Sequence, residues 1–191
     1  MSTPATVWLL DIQYLYVVGI FTGGQVDQIG AGGYPLVLII PAVPLVVMIA
    51  FGEVIGAEFH DYRRSYRFGQ LGYDIVEKTE AHPFRGQADF LYAQFINPYK
   101  NHISSSIEIL RRAFCLSVAA GDLPYACYCC QSIVIDQLVN GTPLDEVFIE
   151  SEKGLKYVRE GRFKISELVI ISQQQMIKNL QGLTDNFSTF N

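Results

Sequence analysis

Three of the four cysteines, Cys127, Cys129 and Cys130, stand together as C-x-C-C, and thiols at that density could ligate a metal or exchange electrons. Zinc sites pair their cysteines as C-x-x-C and need four ligands, so Cys127 and Cys130 would require two more from elsewhere. The three read better as small buried hydrophobes. Gly30, Gly32 and Gly33, with Ala31 between them, could cradle a phosphate, but the G-x-G-x-x-G spacing and a clear helix behind it are missing. His60, His82 and His102 each fall near an expected helix end, where capping or solvent exposure is their role. Arg111, Arg112, Arg159 and Arg162 read as a solvated basic face, or as side chains of a peptide-binding groove. The sequence carries no Ser/His/Asp set, no lysine-bearing phosphate loop and no kinase catalytic loop. It therefore offers no catalytic residue, no cofactor-binding residue and no metal ligand, and the expectation is a chain that is not an enzyme by itself.

The elements that would position these residues are helical. The stretch from Ser105 to Gly141 reads as helix, tight turn, helix. Ser105 and Glu108 have capping-box spacing. Ile103, Ile107, Leu110, Phe114 and Ser117 or Val118 fall on one helical face, with Glu108, Arg111 and Arg112 off it. Gly121 suits the left-handed conformation that ends a helix, and Asp122 can cap the next. That next helix, Leu123 to Val139, is apolar on most sides and reads as an inner one, stopped by Asn140-Gly141.

The layout recurs on both sides of this hairpin. Gly72-Tyr73, Ala113-Phe114 and Gly154-Leu155 are separated by 41 residues, each a small residue followed by a large apolar one. Ala88, Cys129 and Ile170 repeat at the same interval. Three helix pairs follow: His60 to Lys100, Asn101 to Gly141 and Thr142 to Gly182. In the first, Tyr62, Tyr66, Gly69, Tyr73 and Val76 form the inward stripe, His82-Pro83 turns the chain and Asn97-Pro98 ends the return helix. In the third, Thr142 caps, Pro143 occupies the first helical position and Asp145 completes a capping box. Its stripe is Leu144, Val147, Phe148, Ser151, Leu155 and Val158. One step back, Val43 to Ala57 is a fourth return helix. A pair of this length cannot bury its apolar face alone, so the pairs are expected to stack. The expected fold is all-α, a helical-hairpin repeat of the tetratricopeptide-like solenoid type, over residues 43–191. Three and a half units without a polar cap suggest a piece of a longer array.

Residues 1–42 stand outside the repeat as an irregular apolar segment. Residues 1–62 hold no Lys or Arg and five acids, whereas all 14 basic residues lie beyond, balanced by 14 acids. The net charge of -5 argues against a nucleic-acid surface. The cysteines form no spaced disulfide framework and no basic n-region precedes an export segment, so a cytoplasmic setting is expected. Pro35 to Gly52 is an uncharged run of 18 residues, long enough to raise a membrane anchor, and Arg63, Arg64 and Arg67 follow it as a positive flank would. Pro35, Pro41 and Pro44 argue the other way, since each would break a spanning helix. A small membrane-anchored scaffold, with 35–52 as anchor, is thus the rival to a buried element.

Several motifs in order carry a family resemblance: FGQLGYDIVEK (Phe68 to Lys78) after Asp61-Tyr62-Arg63, LRRAF (Leu110 to Phe114), GDLPYACY (Gly121 to Tyr128), the run from Pro143 to Phe163, and LQGLTDNFSTFN (Leu180 to Asn191). Over about residues 45–191 the chain resembles the helical region of bacterial trifunctional, or multi-sensor, signal-transduction kinases. Those proteins join a serine/threonine kinase, an AAA-type ATPase, a long tetratricopeptide-like region, a GAF sensor and a histidine kinase, the last a two-component element. The resemblance does not extend over Met1 to Pro44, and none of the family's catalytic motifs falls within the chain. It implies a non-catalytic interaction module, a fragment of such a kinase. Its partners would be proteins or the flanking kinase, ATPase and GAF domains, with no cofactor.

Overall fold

The chain's alternation of apolar helical stretches with glycine and asparagine stops yields a two-layer helical stack. The computed structural model describes residues 36–78 and 84–184, and side chains from Val46 onward; every element among them is helical. In order these are α1 (Leu36–Phe59), α2 (Tyr62–Lys78), α3 (Arg85–Leu91), α4 (Ile103–Ala120), α5 (Leu123–Val139), α6 (Leu144–Glu160) and α7 (Lys164–Leu180). α3 runs on through a π turn at Tyr92–Ile96 and a 3-10 turn at Asn97–Tyr99. Consecutive helices pack together, and the return helices α1, α3, α5 and α7 also touch in series. The first helices of the pairs, α2, α4 and α6, lean on this back row far more than on one another.

The 41-residue spacing is visible in burial. α2 buries Ser65, Gly69, Gly72 and Val76; α4 buries Ser106, Leu110, Ala113 and Ser117; α6 buries Val147, Ser151, Gly154 and Val158. Each set is the previous one moved on by 41 positions. In the back row Ala88, Cys129 and Ile170 are all fully buried. The inward face is thus narrower and rotated from the expected stripe in α2 and α4. Tyr62 and Val118 are about half exposed, and Tyr66, Tyr73, Ile103, Ile107 and Phe114 are only part-buried. The reason is steric. A Cβ on Gly69 would collide with the Ile96 side chain, and one on Gly86 would lie 2.9 Å from the Ser117 amide nitrogen. On α1, a Cβ on Gly52 would sit 2.9 Å from the Ser65 carbonyl oxygen and 3.0 Å from the Gly69 nitrogen. Small residues take the seam because the helix axes approach too closely for larger ones, which move to the flanks.

The turns repeat too. Gly121 and Arg162 both adopt positive φ, 74° and 54°, and Gly141 and Gly182 do so at 78° and 72°. Asp122 N bonds Ser117 O and Phe163 N bonds Val158 O; Thr142 N bonds Gln137 O and Leu183 N bonds Lys178 O. These are Schellman closures, with the left-handed residue where the helix must stop. Asp122 caps α5 as expected, accepting from Tyr125 N at 3.3 Å. Two caps differ from expectation. α4 begins at Ile103 with His102 as its cap, whose Nδ1 accepts from Ser104 N, so Ser105 lies inside the first turn. The Asn97 amide donates to the hydroxyls of both Ser105 and Ser106, which holds them there. In α6, Pro143 is extended with ψ 134° and is itself the cap, with no side-chain bond, and Thr142 is spent in the preceding closure. Asp145, in the first turn, instead accepts from Gln181 at the far end of α7.

α1 is one helix through the expected boundary near residue 43, and it accommodates Pro41 and Pro44 in its N-terminal half. Its C-terminal half belongs to the core: Ile49 is fully buried in the cluster with Val76, Leu91 and Ile96. Among the described residues no helix is long and apolar enough to cross a membrane. Residues 1–35, with the glycine cluster at 30–33, and the His82-Pro83 turn lie outside the described residues.

Acids are buried in this core as well. Glu53 is 5% exposed, its Oε2 meets no hydrogen-bond donor among the described residues, and burial pushes its carboxyl up to about 8. Asp136, bonded by Gln94 at 3.0 Å, is pushed by burial up to about 6.

These features generate three expectations. Ala113, fully buried, has no room for branching. Ala113→Leu should lower the urea midpoint by the equivalent of about 1–3 kcal/mol through overpacking, and an unchanged midpoint would place residue 113 outside the seam. At the paired turns, Arg162→Gly should raise stability by roughly 0.5–1 kcal/mol by relieving a left-handed non-glycine residue, while Gly121→Ala should lower it. A urea titration of the two variants reads opposite shifts if the turns are equivalent. For Glu53 the folded carboxyl titrates above the unfolded one, so its contribution is present below pH 4.5 and lost as pH rises toward 8. The slope is about 1.4 kcal/mol per pH unit at most. Wild type should therefore be less stable at pH 8 than at pH 6, and Glu53→Gln should flatten that difference; a variant with the wild-type slope refutes the assignment.

Candidate functional site

Because α2, α4 and α6 stand apart over a continuous back row, two grooves open between them. One lies between α2 and α4 with α3 as floor, the other between α4 and α6 with α5 as floor. The repeat makes them equivalent, position by position, at 41 residues.

The first groove is filled by side chains of the chain itself. Tyr73 stacks on Tyr92 with ring centroids 4.0 Å apart and 16° between planes. Arg112 grips the fully buried Asp89 with two hydrogen bonds, Nε to Oδ2 at 2.7 Å and Nη2 to Oδ1 at 2.9 Å. Its Nη2 also donates to Glu77 Oε1 at 2.8 Å, and Arg85 donates to the other Glu77 oxygen at 2.6 Å. Tyr66 and Tyr92 both donate to Gln70 Oε1, at 2.8 and 2.5 Å. Burial raises the Asp89 carboxyl while the Arg112 hydrogen bonds and charge pull it down. The Tyr73 and Tyr92 hydroxyls are pushed well up, chiefly by burial, so neither is an anion near neutral pH. Nothing in this cluster is poised as a nucleophile. It is a lock between α2, α3 and α4.

The second groove is open. It holds a cavity of about 400 Å³ lined mostly by apolar surface, with Phe114, Cys130, Ile133, Gly154 and Tyr157 at its base. Phe114 and Tyr157 meet edge to face at 5.0 Å. A Cβ on Gly154 would lie 3.3 Å from the Cys130 Cβ, so the glycine brings α6 down onto α5. Arg111, Glu150, Lys153 and Cys115 form the rim. Arg111 pairs with Glu150 at 2.9 Å, and Lys153 reaches the other oxygen of the same carboxylate at 3.5 Å.

The sequence-level candidates fall as follows. Cys127 and Cys130 pack toward α6 and α7 with Leu155, Val158 and Ile170, whereas Cys129 packs with Ala88 and Phe90 against α3. A helix separates the thiols onto two faces, and burial pushes Cys127 to about 11 and Cys130 to about 12. They are neutral core side chains, and among the described residues no group of three His, Cys, Asp or Glu is placed to hold a metal. Cys115 alone is exposed. His102 is a cap and His60 sits at the α1–α2 turn with φ 54°. Arg159 pairs with Glu167 at 3.0 Å. Of the basic residues singled out, Arg111 lines the open groove and Arg112 locks the closed one. Asp89, Glu77 and Tyr73 were not singled out by sequence reasoning as one cluster. Aligning the units at 41 residues would have exposed it, since Arg112 then matches Lys153 while Asp89 matches Cys130.

No family model matches the chain, and no solved structure matches it. A curated protein from Dictyostelium discoideum, hybrid signal transduction histidine kinase G, is 34% identical over 134 residues. That alignment covers 69% of this chain but only 4% of the length of the kinase. The chain is thus similar in sequence to a short segment of a signal-transduction histidine kinase, and every element among its described residues is helical.

Proposed function

We propose that the chain is a non-catalytic helical-repeat module of tetratricopeptide-like type within a multidomain signal-transduction kinase of the cytoplasm. In that setting it holds protein partners or flanking kinase, ATPase or sensor domains in place. The observation that carries this reading is the open groove between α4 and α6. It has an apolar base with a charged rim, is built on rigid helices, and repeats a frame that one unit earlier is closed by its own side chains. Apolar pockets with a few placed polar groups are what binding sites offer. The similarity to the Dictyostelium kinase supports the signalling context. The rival reading, a membrane-anchored scaffold, has less support because Ile49 and Gly52 of α1 are used in helix packing.

Two measurements test it. Purified chain given radiolabelled ATP and magnesium should neither release phosphate nor label itself; turnover that persists through stringent purification would make it an enzyme. A display library of random peptides should yield binders that are lost in Cys115→Trp, which fills the groove mouth, while the thermal midpoint stays within a few degrees. Binders that survive this substitution would move the interaction surface elsewhere.

A further inference from the structure

The two grooves share a frame, so the contents of the closed one describe what the open one lacks. In the closed groove the floor supplies an aromatic ring, Tyr92, and a buried carboxylate, Asp89. The front helices supply Tyr73 against the ring and Arg112 against the carboxylate. Forty-one residues on, the front helices keep both receptors as Phe114 and Lys153. The floor has lost both fillers: Ile133 stands where Tyr92 was and Cys130 where Asp89 was. The Cys130 thiol, pushed up to about 12 by burial, brings no charge. Lys153 and Arg111 are left to share one carboxylate, Glu150, with Lys153 only at 3.5 Å and 69% exposed. The rim therefore carries one more positive charge than negative, beside an apolar cavity of about 400 Å³.

We infer that the α4–α6 groove takes a protein segment in which an aromatic side chain is adjacent to an acidic one. The ring would enter the cavity beside Phe114, and the carboxylate would meet Lys153 and Arg111. This rests on the groove being the interaction surface and adds the chemistry of its ligand. An acidic group is favoured over a neutral one because it completes the rim's charge, and charge complementarity of this kind selects partners more than it adds raw affinity. An aromatic is favoured over a small aliphatic because a cavity of about 400 Å³ with Phe114 and Tyr157 in its lining is larger than a small aliphatic side chain fills. Phe114 and Tyr157, edge to face with each other at 5.0 Å, form an aromatic wall that a third ring can meet in the tilted or T-shaped manner such pairs adopt.

The test uses the full chain and three synthetic peptides of equal length. The first carries Asp-Tyr at its centre, the second Asn-Tyr, the third Asp-Ala. Binding is read by fluorescence anisotropy and, independently, by the rate at which iodoacetamide alkylates Cys115, the exposed thiol on the groove rim. The acidic aromatic peptide should bind, slow alkylation and weaken with added salt. Either control should bind about tenfold more weakly or worse, as should the acidic aromatic peptide on Lys153→Gln. Lys153 is exposed, so that variant is expected to fold; a second, Ile133→Tyr with Cys130→Asp, rebuilds the closed groove and should abolish binding. Equal binding of the Asp-Tyr and Asn-Tyr peptides, or no effect of Lys153→Gln, would overturn the acidic requirement while leaving the groove as a docking surface. If neither these peptides nor display-selected binders protect Cys115, the groove reading itself falls.

Discussion

Close approach between the two helical layers sets what the rest of the molecule can be. At the seam each front helix presents glycine, alanine, serine or a mid-sized aliphatic, and the back row meets it with Gly52, Gly86, Cys130 or, opposite Gly69, the Ile96 side chain. The distances that a Cβ would have to occupy, 2.9 Å to backbone at Gly52 and Gly86, leave no slack. Glycine mid-helix costs up to about 1 kcal/mol relative to alanine, a cost that packing of the flanking large residues must offset. The offset comes from positions such as Tyr73, Phe114 and Tyr157, which lie one step off the seam. Being displaced from the seam is also what makes them groove walls. Packing and groove walls are thus consequences of a single choice of small residues.

From that shared frame the two grooves diverge by electrostatics. Asp89 is fully buried and Arg112 neutralises it with two hydrogen bonds; removing Arg112 would strand a buried carboxylate, whereas Arg112 itself is partly exposed and keeps Glu77. The equivalent site after 41 residues escapes this dependency altogether, since Cys130 is neutral and Lys153 reaches solvent. One groove is committed to holding α2, α3 and α4 together. The other is free of that duty, because α5, α6 and α7 are joined by Cys130, Leu155, Val158 and Ile170, and Phe114 of α4 packs against that cluster. Glu53 shows the same economy from the opposite side: with no cation paired to it among the described residues it stays in the core as a neutral acid, and its proton is part of the fold near neutral pH.

The helix pairs and their register were legible because glycine and asparagine stops are local signals and because the repeat compares the chain with itself. Gly72, Ala113 and Gly154 came out buried, and Ala88, Cys129 and Ile170 fully buried across from them. The inward faces of α2 and α4 were misjudged by about one residue, since hydrophobicity favours Tyr66 or Phe114 over a serine, while the seam selects by size. Caps were misjudged at Ser105 and Thr142 because both sequences carry good capping residues whose partners, Asn97 in one case and the Gln137 carbonyl in the other, are claimed by tertiary or preceding structure. The grooves were not legible from any single unit. Arg112 and Lys153 look alike on their helices, and what separates them is the residue across the groove.

A stack in which each unit touches chiefly its neighbours accumulates stability nearly additively along one direction. Here that locality extends to the turns: the closures at Gly121 and Arg162, and at Gly141 and Gly182, are made from hydrogen bonds within a few residues. The seam and the turns therefore hold the geometry without reference to what fills the grooves. Substituting a tyrosine by isoleucine and an aspartate by cysteine on the floor, at Tyr92/Ile133 and Asp89/Cys130, changes the chemistry on offer while the helices keep their places. Separation of this kind lets one short scaffold carry a structural clamp in one unit and an open, apolar-based groove in the next.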